Sequence, residues 1–290
     1  MVVMQVPVIP IDPRFRGVDA ETRFIPCFPP GLVGGISPGL GPDRILLKGP
    51  CFVSGLAVAD GFHAVYAGYA ATPNYEASID SASRDCAAIL QDVIQHNRVI
   101  TAMGGDVLRS DSLCEIIAVA APGRDPRWSY SVGIASGAQT LADEFNQNGP
   151  KRGMVVTGLS GTDGGLPYVA EARLDADGGV SEDYETRAVS VGGTGLPGAA
   201  EDFSDAGFII TASTSDGNSV SPHTTFTLVG TRPKGGAAAR HTRVLQIGGN
   251  NIAIADGFDA GYSLSSYMFD RNANPLPDGG IQAWWIVMQH

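Results

Sequence analysis

Apolar residues alternate with small or polar ones over short stretches of this chain, a pattern typical of β-strands. In residues 44–69 the alternation predicts a hairpin, because it runs on both sides of Asp60-Gly61. An Asp-Gly pair accepts the positive φ values of a tight two-residue turn. The first strand of this hairpin contains Phe52, Leu56 and Val58, and the second strand begins at Phe62.

Further β-prone runs follow, and residues rich in Gly, Asp and Pro separate nearly all of them. Strands are predicted near 99–101, 115–120, 128–135, 154–158, 168–174, 186–191, 208–213, 224–230, 242–247, 262–269 and 281–288. Residues 122–126, Pro-Gly-Arg-Asp-Pro, are predicted to be a turn. After Lys151 we expect only strands and turns. Short strands without crossover helices indicate a mainly β fold, an antiparallel β-sandwich or jelly roll.

Two short helices are predicted within the first 150 residues. Apolar residues at three- and four-residue spacing predict one helix at about 83–97. It is expected to end near Asn97, because strand character resumes at Val99. Thr140 with Asp143 resembles a capping box, which predicts a second at about 140–147. Asn148-Gly149-Pro150 ends it and marks a domain boundary. We therefore expect a β-rich domain with inserted helices at 51–150 and an antiparallel β-sandwich domain at 151–290.

The first 50 residues have a composition of their own. They hold nine of the 19 prolines, and because each proline fixes φ and removes a donor, a regular helix or central strand is excluded. The segment is nevertheless apolar and includes Phe15, Phe24 and Phe28. We predict an extended N-terminal arm at 1–50 that docks along its own domain or along a neighbouring subunit. The alternative is a flexible tail.

Composition and charge exclude several classes of protein. With 43% hydrophobic residues the chain is not disordered as a whole, and its formal net charge of −11 opposes binding to nucleic acid. No apolar run approaches the ~18 residues that cross a bilayer, so we expect no membrane insertion. Residues 1–10 lack the basic and long apolar regions of a signal peptide, so we expect no export.

A search for catalytic and metal-binding motifs predicts none. The letters Gly35-Ile36-Ser37-Pro38-Gly39 fit a nucleophile elbow, but the segment lacks the required strand before Ser37 and helix after it. None of the five histidines lies in a metal or catalytic motif, and His96 is expected near a helix C-terminus. The cysteines lack zinc-site spacing and are expected to be buried small hydrophobes: Cys27, Cys51, Cys86 and Cys114. The sequence therefore predicts no catalytic residue, cofactor or metal.

The region from 160 to 207 is strongly acidic, with ten carboxylates against Arg173 and Arg187. We interpret it as solvated hairpin loops. Asp175 and Asp177 offer oxygen ligands to Ca²⁺, but a full loop would need further ligands at fixed spacing. A glycosidase with paired carboxylates is a further alternative, although nothing in the sequence selects the pair.

Three tryptophans complete the candidate residues. Trp284 and Trp285 are adjacent in a predicted strand and must point to opposite faces, so at most one enters the same core. For the other, we consider packing between domains, an interface between subunits, or a platform for a sugar ring. Trp128 is a candidate for an interface or a ligand contact.

These observations predict a non-enzymatic structural protein of a symmetric particle, such as a bacteriophage capsid, decoration or tail protein. Its expected partners are copies of itself and other particle subunits, and its expected location is the virion, assembled in the host cytoplasm. The interface or ligand candidates are Phe15, Phe24, Phe28, Trp128, Trp284 and Trp285. A glycan-binding module that recognises host-surface carbohydrate is the alternative, followed by a carboxylate-based glycan hydrolase.

Overall fold

The computed structural model describes residues 44–46, 51–59, 62–69, 78–81, 86–104, 117–122, 124–130, 154–160, 168–173, 184–216, 224–247, 256, 262–270 and 284–290. The predicted helix at 140–147 and the predicted domain boundary at Asn148-Gly149-Pro150 lie outside these residues. So does most of the predicted arm, including Phe15, Phe24 and Phe28. Arg44–Leu46, near the end of that arm, forms a short strand.

Strands dominate the described residues, and two short helices accompany them. The strands are β1 Arg44–Leu46, β2 Cys51–Ala59, β3 Phe62–Tyr69, β4 Ser78–Ser81, β5 Arg98–Gly104, β6 Ile117–Pro122, β7 Arg124–Tyr130, β8 Val155–Ser160, β9 Tyr168–Arg173, β10 Tyr184–Gly192, β11 Ile209–Asp216, β12 Thr225–Pro233, β13 Thr242–Ile247, β14 Ser263–Phe269 and β15 Trp284–Gln289. The helices are α1 Cys86–Gln95 and α2 Leu196–Asp205, and a 3₁₀ turn at Gly193–Gly195 leads into α2.

The described strands pair only in antiparallel fashion. They form a four-stranded sheet of order β1-β4-β6-β5, a β2-β3 hairpin, and three-stranded sheets of order β7-β9-β8, β10-β12-β11 and β13-β15-β14. The prediction of a mainly β, antiparallel protein with few short helices is therefore confirmed.

The predicted hairpin is present. Strands β2 and β3 pair from Cys51↔Tyr69 to Ala59↔Phe62, so only residues 60 and 61 connect them. This is the position at which the Asp-Gly pair predicts a tight turn.

Helix α1 confirms the helix predicted near residues 83–97, with both ends of the described helix inside that range. Asn97 has a φ of 56°, in the left-handed region that ends helices, and its N–H donates to the carbonyl of Ile94 at 2.9 Å. Strand β5 starts at the next residue. His96 lies at the C-terminus of α1 as predicted, and its Nδ1 lies 2.8 Å from the carbonyl oxygen of Asp92.

The expectation that only strands and turns follow Lys151 is wrong, because α2 lies within that region. Its glycines and Pro197 imitate a turn, yet proline is favoured in the first turn of a helix, where its missing N–H costs nothing. The buried positions Leu196, Ala199, Ala200 and Phe203 recur at helical spacing. This apolar face packs against the sheets and outweighs the poor local propensity.

The end of α2 is a Schellman motif. Gly207 has a φ of 77°, and its N–H donates to the carbonyl of Ser204 at 2.9 Å. The N–H of Phe208 reaches back to the carbonyl of Phe203 at 2.8 Å. The rings of Phe203 and Phe208 meet edge to face with centroids 5.7 Å apart, which supplies the hydrophobic contact of this motif.

The strands expected on either side of residues 122–126 are present, but the segment between them is shorter than predicted, because β6 ends at Pro122 and β7 already begins at Arg124. Strand β7 is at the edge of its sheet, and its register shifts between Arg124 and Arg127. Pro126 lies inside that irregularity, where a residue without an N–H breaks no ladder hydrogen bond. An edge position thus accommodates the proline that suggested a turn.

The β10-β12-β11 sheet is covered on both faces. On one face, Phe226 and Leu228 of β12 belong to a buried cluster with Phe203 of α2 and Val287 of β15. On the other face, Val229 joins a cluster formed with residues of β8, β9, β10 and β11. Because successive residues of a strand point to opposite faces, β12 contributes to both clusters and is buried almost along its whole length.

Gly230 in β12 lets the ring of Phe203 lie directly on the strand. A Cβ built at Gly230 would overlap the Phe203 ring, whereas one built at Gly198 on α2 meets nothing within 4 Å. We expect Gly230→Ala to lower the free energy of unfolding by about 2 kcal/mol or more, because the ring must move in a close-packed cluster.

The matched control is Gly198→Ala. At this exposed helical position the methyl group has room, so the change is expected to raise the free energy of unfolding by about 0.5–1 kcal/mol. Urea unfolding followed by circular dichroism measures both variants. Equal effects of the two substitutions would contradict the packing of α2 on β12.

Candidate functional site

The strongest candidates from the sequence that the structure describes are Trp284 and Trp285, which begin β15. Both side chains are half-buried. Trp285 lies against the first buried cluster and meets Phe226 edge to face, with ring centroids 6.2 Å apart. A Cβ at Gly193 would lie 3.6 Å from its indole, so the 3₁₀ turn before α2 covers part of the ring.

The indole N–H of Trp285 also has an internal partner. It donates to Oδ2 of Asp270 at 3.2 Å, and the hydroxyl of Thr224 donates to Oδ1 of the same carboxylate at 2.8 Å. Asp270 follows β14 and Thr224 precedes β12, so this buried carboxylate links two sheets. The contacts of Trp285 are therefore those of packing between elements of one chain.

The remaining candidates, Trp128 and the three phenylalanines, lie away from β15 in the sequence. Trp128 lies in β7, opposite Ala170 of β9, and belongs to a different sheet from Trp284 and Trp285. Its side chain is outside the described part of the structure, as are Phe15, Phe24 and Phe28. Of the six candidates, only Trp284 and Trp285 have side chains that the structure describes, and they are adjacent in β15.

Carboxylates of the acidic region take part in ion pairs within the body. Glu171 of β9 is buried and pairs with Arg127, its cross-strand neighbour in β7. Glu185 of β10 pairs with Arg232, its neighbour in β12. Each carboxylate thus lies against a guanidinium group of the neighbouring strand.

Arginines surround the C-terminus of α2, a feature that sequence reasoning missed. Arg187 lies over the ring of Phe203 at 5.1 Å, and Arg232 lies over the ring of Phe208 at 4.4 Å. Arg232 also donates to the carbonyl of Ala206, and cations are favourable at this end of a helix.

A third arginine follows the loop after β12. The backbone N–H of Arg240 donates to the carbonyl of Ser204 at 2.9 Å, and burial lowers the pKa of its guanidinium from the ordinary value. The three arginines come from separate parts of the sequence, and each contacts a different residue near the end of α2. No local sequence pattern predicts this group of arginines.

Gln289 of β15 is a second feature that the sequence did not reveal. Its side chain is 1% exposed, and all four hydrogen-bonding positions of its amide are used. Oε1 accepts from the backbone N–H of Ile210 at 2.8 Å and from the hydroxyl of Ser265 at 2.9 Å. Nε2 donates to Oγ of Ser204 at 2.7 Å and to the carbonyl of Phe208 at 3.0 Å.

Ser204 extends this network to β13, because its Oγ also accepts from the hydroxyl of Thr242. One buried amide therefore connects α2, β11, β14 and β15, and one serine hydroxyl adds β13. The arrangement fixes the helix to the sheets, and its chemistry is that of a structural network.

Two further findings concern cofactors and membranes. Within the described ranges no group of three or more His, Cys, Asp or Glu side chains is placed to hold a metal ion. None of the helices described in the structure has the length and apolar character that a bilayer crossing requires.

Comparison with protein-family models, with curated proteins and with solved structures found no match.

The Gln289 network leads to a stability prediction. Gln289→Leu leaves the N–H of Ile210 and the carbonyl of Phe208 without this partner in a buried setting, and each such loss costs about 1–3 kcal/mol. We expect the free energy of unfolding to fall by about 3 kcal/mol, measured by urea denaturation.

The matched control is Gln91→Leu on the exposed side of α1. Its free energy of unfolding is expected to stay within about 0.5 kcal/mol of the parent value. Similar losses in the two variants would refute the role assigned to Gln289.

Proposed function

We propose that this chain is a structural subunit of a symmetric particle, most specifically a bacteriophage virion component such as a capsid, decoration or tail protein. In this proposal the strands form a β-sandwich or jelly-roll body, and residues 1–50 are an arm that binds another copy or another particle subunit. The particle assembles in the host cytoplasm, and the chain acts without catalysis.

One observation carries the proposal: the first 50 residues are both apolar and rich in proline. Apolar side chains gain free energy when another surface removes them from water, at roughly 25 cal/mol per Å². The prolines prevent the segment from building a regular core of its own. An extended segment with these two properties is suited to lie on a neighbouring molecule.

The body has properties that support this role. Two of its three-stranded sheets share a buried cluster, as the layers of a sandwich do, and α2 with the β13-β15-β14 sheet covers the other face of β12. Buried hydrogen bonds from Gln289 and Asp270 join these layers. A building block of a particle needs such a body, because forces applied at its contacts must not deform it.

The internal contacts of Trp285 weigh against a sugar platform at this residue. A sugar platform needs an accessible indole face and benefits from a free N–H, whereas this indole donates to Asp270 and packs on Phe226. Trp285→Ala would consequently remove core packing as well as any ligand contact.

The proposal predicts that deletion of residues 1–42 abolishes assembly. The deletion ends before β1, whose pairing with β4 is retained. We expect the full chain to form a stable oligomer by light scattering, and the truncated chain to have a lower molar mass over the same concentrations. Circular dichroism and the unfolding temperature should show that the body remains folded.

A matched pair of variants tests the arm without shortening it. Replacing Phe15, Phe24 and Phe28 together by Ser should weaken assembly, because the arm loses its largest apolar side chains. Replacing the same three by Leu keeps the apolar character and should retain most of it. A truncated chain that assembles normally, or a full chain that is monomeric at every concentration, would rule out the proposal.

A further inference from the structure

Two histidines lie opposite each other beyond the ends of β13 and β15. His241 N–H donates to the carbonyl of His290 at 3.1 Å, and His290 N–H donates to the carbonyl of His241 at 2.9 Å. Residues that exchange both bonds form a hydrogen-bonded pair of an antiparallel ladder, and directly opposite residues carry their side chains on the same face. Both histidines are exposed.

The spacing of such a pair suits chelation of one metal ion. Opposite residues in a hydrogen-bonded pair have Cα atoms about 5.5 Å apart and Cβ atoms about 4.5–5.5 Å apart. Two imidazole nitrogens bound to one ion at about 2.0–2.1 Å lie about 3 Å from each other. Rotation about the two side-chain torsions of each histidine spans this difference, and the backbone pairing already holds the two residues together.

Tyr262 and Arg243 are the described neighbours that bear on metal binding by the pair. The ring of Tyr262 lies beside the ring of His290, with centroids 5.7 Å apart, and the guanidinium of Arg243 lies over the Tyr262 ring at 5.4 Å. Tyr262 precedes β14 and His241 precedes β13, so the two residues lie on opposite sides of His290 in the sheet order β13-β15-β14. The positive charge of Arg243 opposes a cation and lowers the affinity.

We propose that His241 and His290 form a chelating site for one late first-row transition-metal ion, with water in the remaining coordination positions. Imidazole is a good ligand for Cu²⁺, Ni²⁺ and Zn²⁺, whereas Mg²⁺ and Ca²⁺ prefer oxygen ligands. Among the described residues no third His, Cys, Asp or Glu side chain joins the pair. This inference does not depend on the proposed function.

The test uses the full chain without a histidine tag, freed of metal by a chelator and then titrated separately with CuCl₂, NiCl₂, ZnCl₂ and MgCl₂ by calorimetry. We expect the His241–His290 pair to bind one ion, with Cu²⁺ bound most tightly and no binding of Mg²⁺ at this pair. Thermal unfolding should shift upward with Cu²⁺, because an ion that binds the folded pair stabilises the folded state.

Substitutions identify the ligands. His241→Gln and His290→Gln should each weaken Cu²⁺ binding at least about tenfold, because one imidazole alone loses the advantage of chelation. His96→Gln removes an exposed histidine outside the pair and should leave the affinity unchanged. Arg243→Gln should tighten binding, because it removes the opposing charge.

A measurement on the unaltered chain makes the test independent of how the variants fold. Substoichiometric Cu²⁺ should broaden the imidazole proton resonances of His241 and His290 before those of His96. Unchanged affinity in both His241→Gln and His290→Gln, or broadening that affects His96 first, would overturn the proposal.

Discussion

The structure depends on one constraint, the burial of the β10-β12-β11 sheet on both faces. A strand such as β12 that contributes Phe226 to one cluster and Val229 to the other needs a partner layer on each side. Strands β8 and β9 provide one layer, and α2 with the β13-β15-β14 sheet provides the other. Because apolar burial is the main favourable contribution to folding, the two sides cannot be formed independently of the sheet between them.

Burial of this extent requires that polar groups inside the protein have partners. A buried polar group without a hydrogen bond costs more than most single contacts contribute. The amide of Gln289 and the carboxylate of Asp270 meet this requirement by joining elements from different parts of the chain. Such bonds are directional, unlike apolar contacts, so they determine how α2 and the strands are placed relative to each other and exclude alternative packings.

Local pattern was sufficient for most strands and for α1. The Asp-Gly hairpin was predictable because its signal lies within a few residues, and the alternation of strands such as β13 and β14 is local as well. Helix α2 was not predictable in this way. Its glycines and Pro197 oppose a helix in isolation, and only the sheets on which it packs make the helical arrangement favourable.

The candidate site was less predictable for a related reason. Adjacent tryptophans are visible in the sequence, but the acceptor for Trp285 is 15 positions away and the partner of Gln289 in α2 is 85 positions away. The arginines reach the end of α2 in the same non-local manner. Pairings of this kind follow from tertiary structure, so composition and spacing reveal the participants without revealing which of them meet.

The close approach of Phe203 to Gly230 has a consequence for how this sequence can change over time. The aromatic ring occupies the volume that a side chain on β12 would take, so bulk at one position excludes bulk at the other. A residue with a side chain is therefore tolerated at position 230 only after Phe203 has been replaced by a smaller residue. In evolution, the replacement of Phe203 should come first.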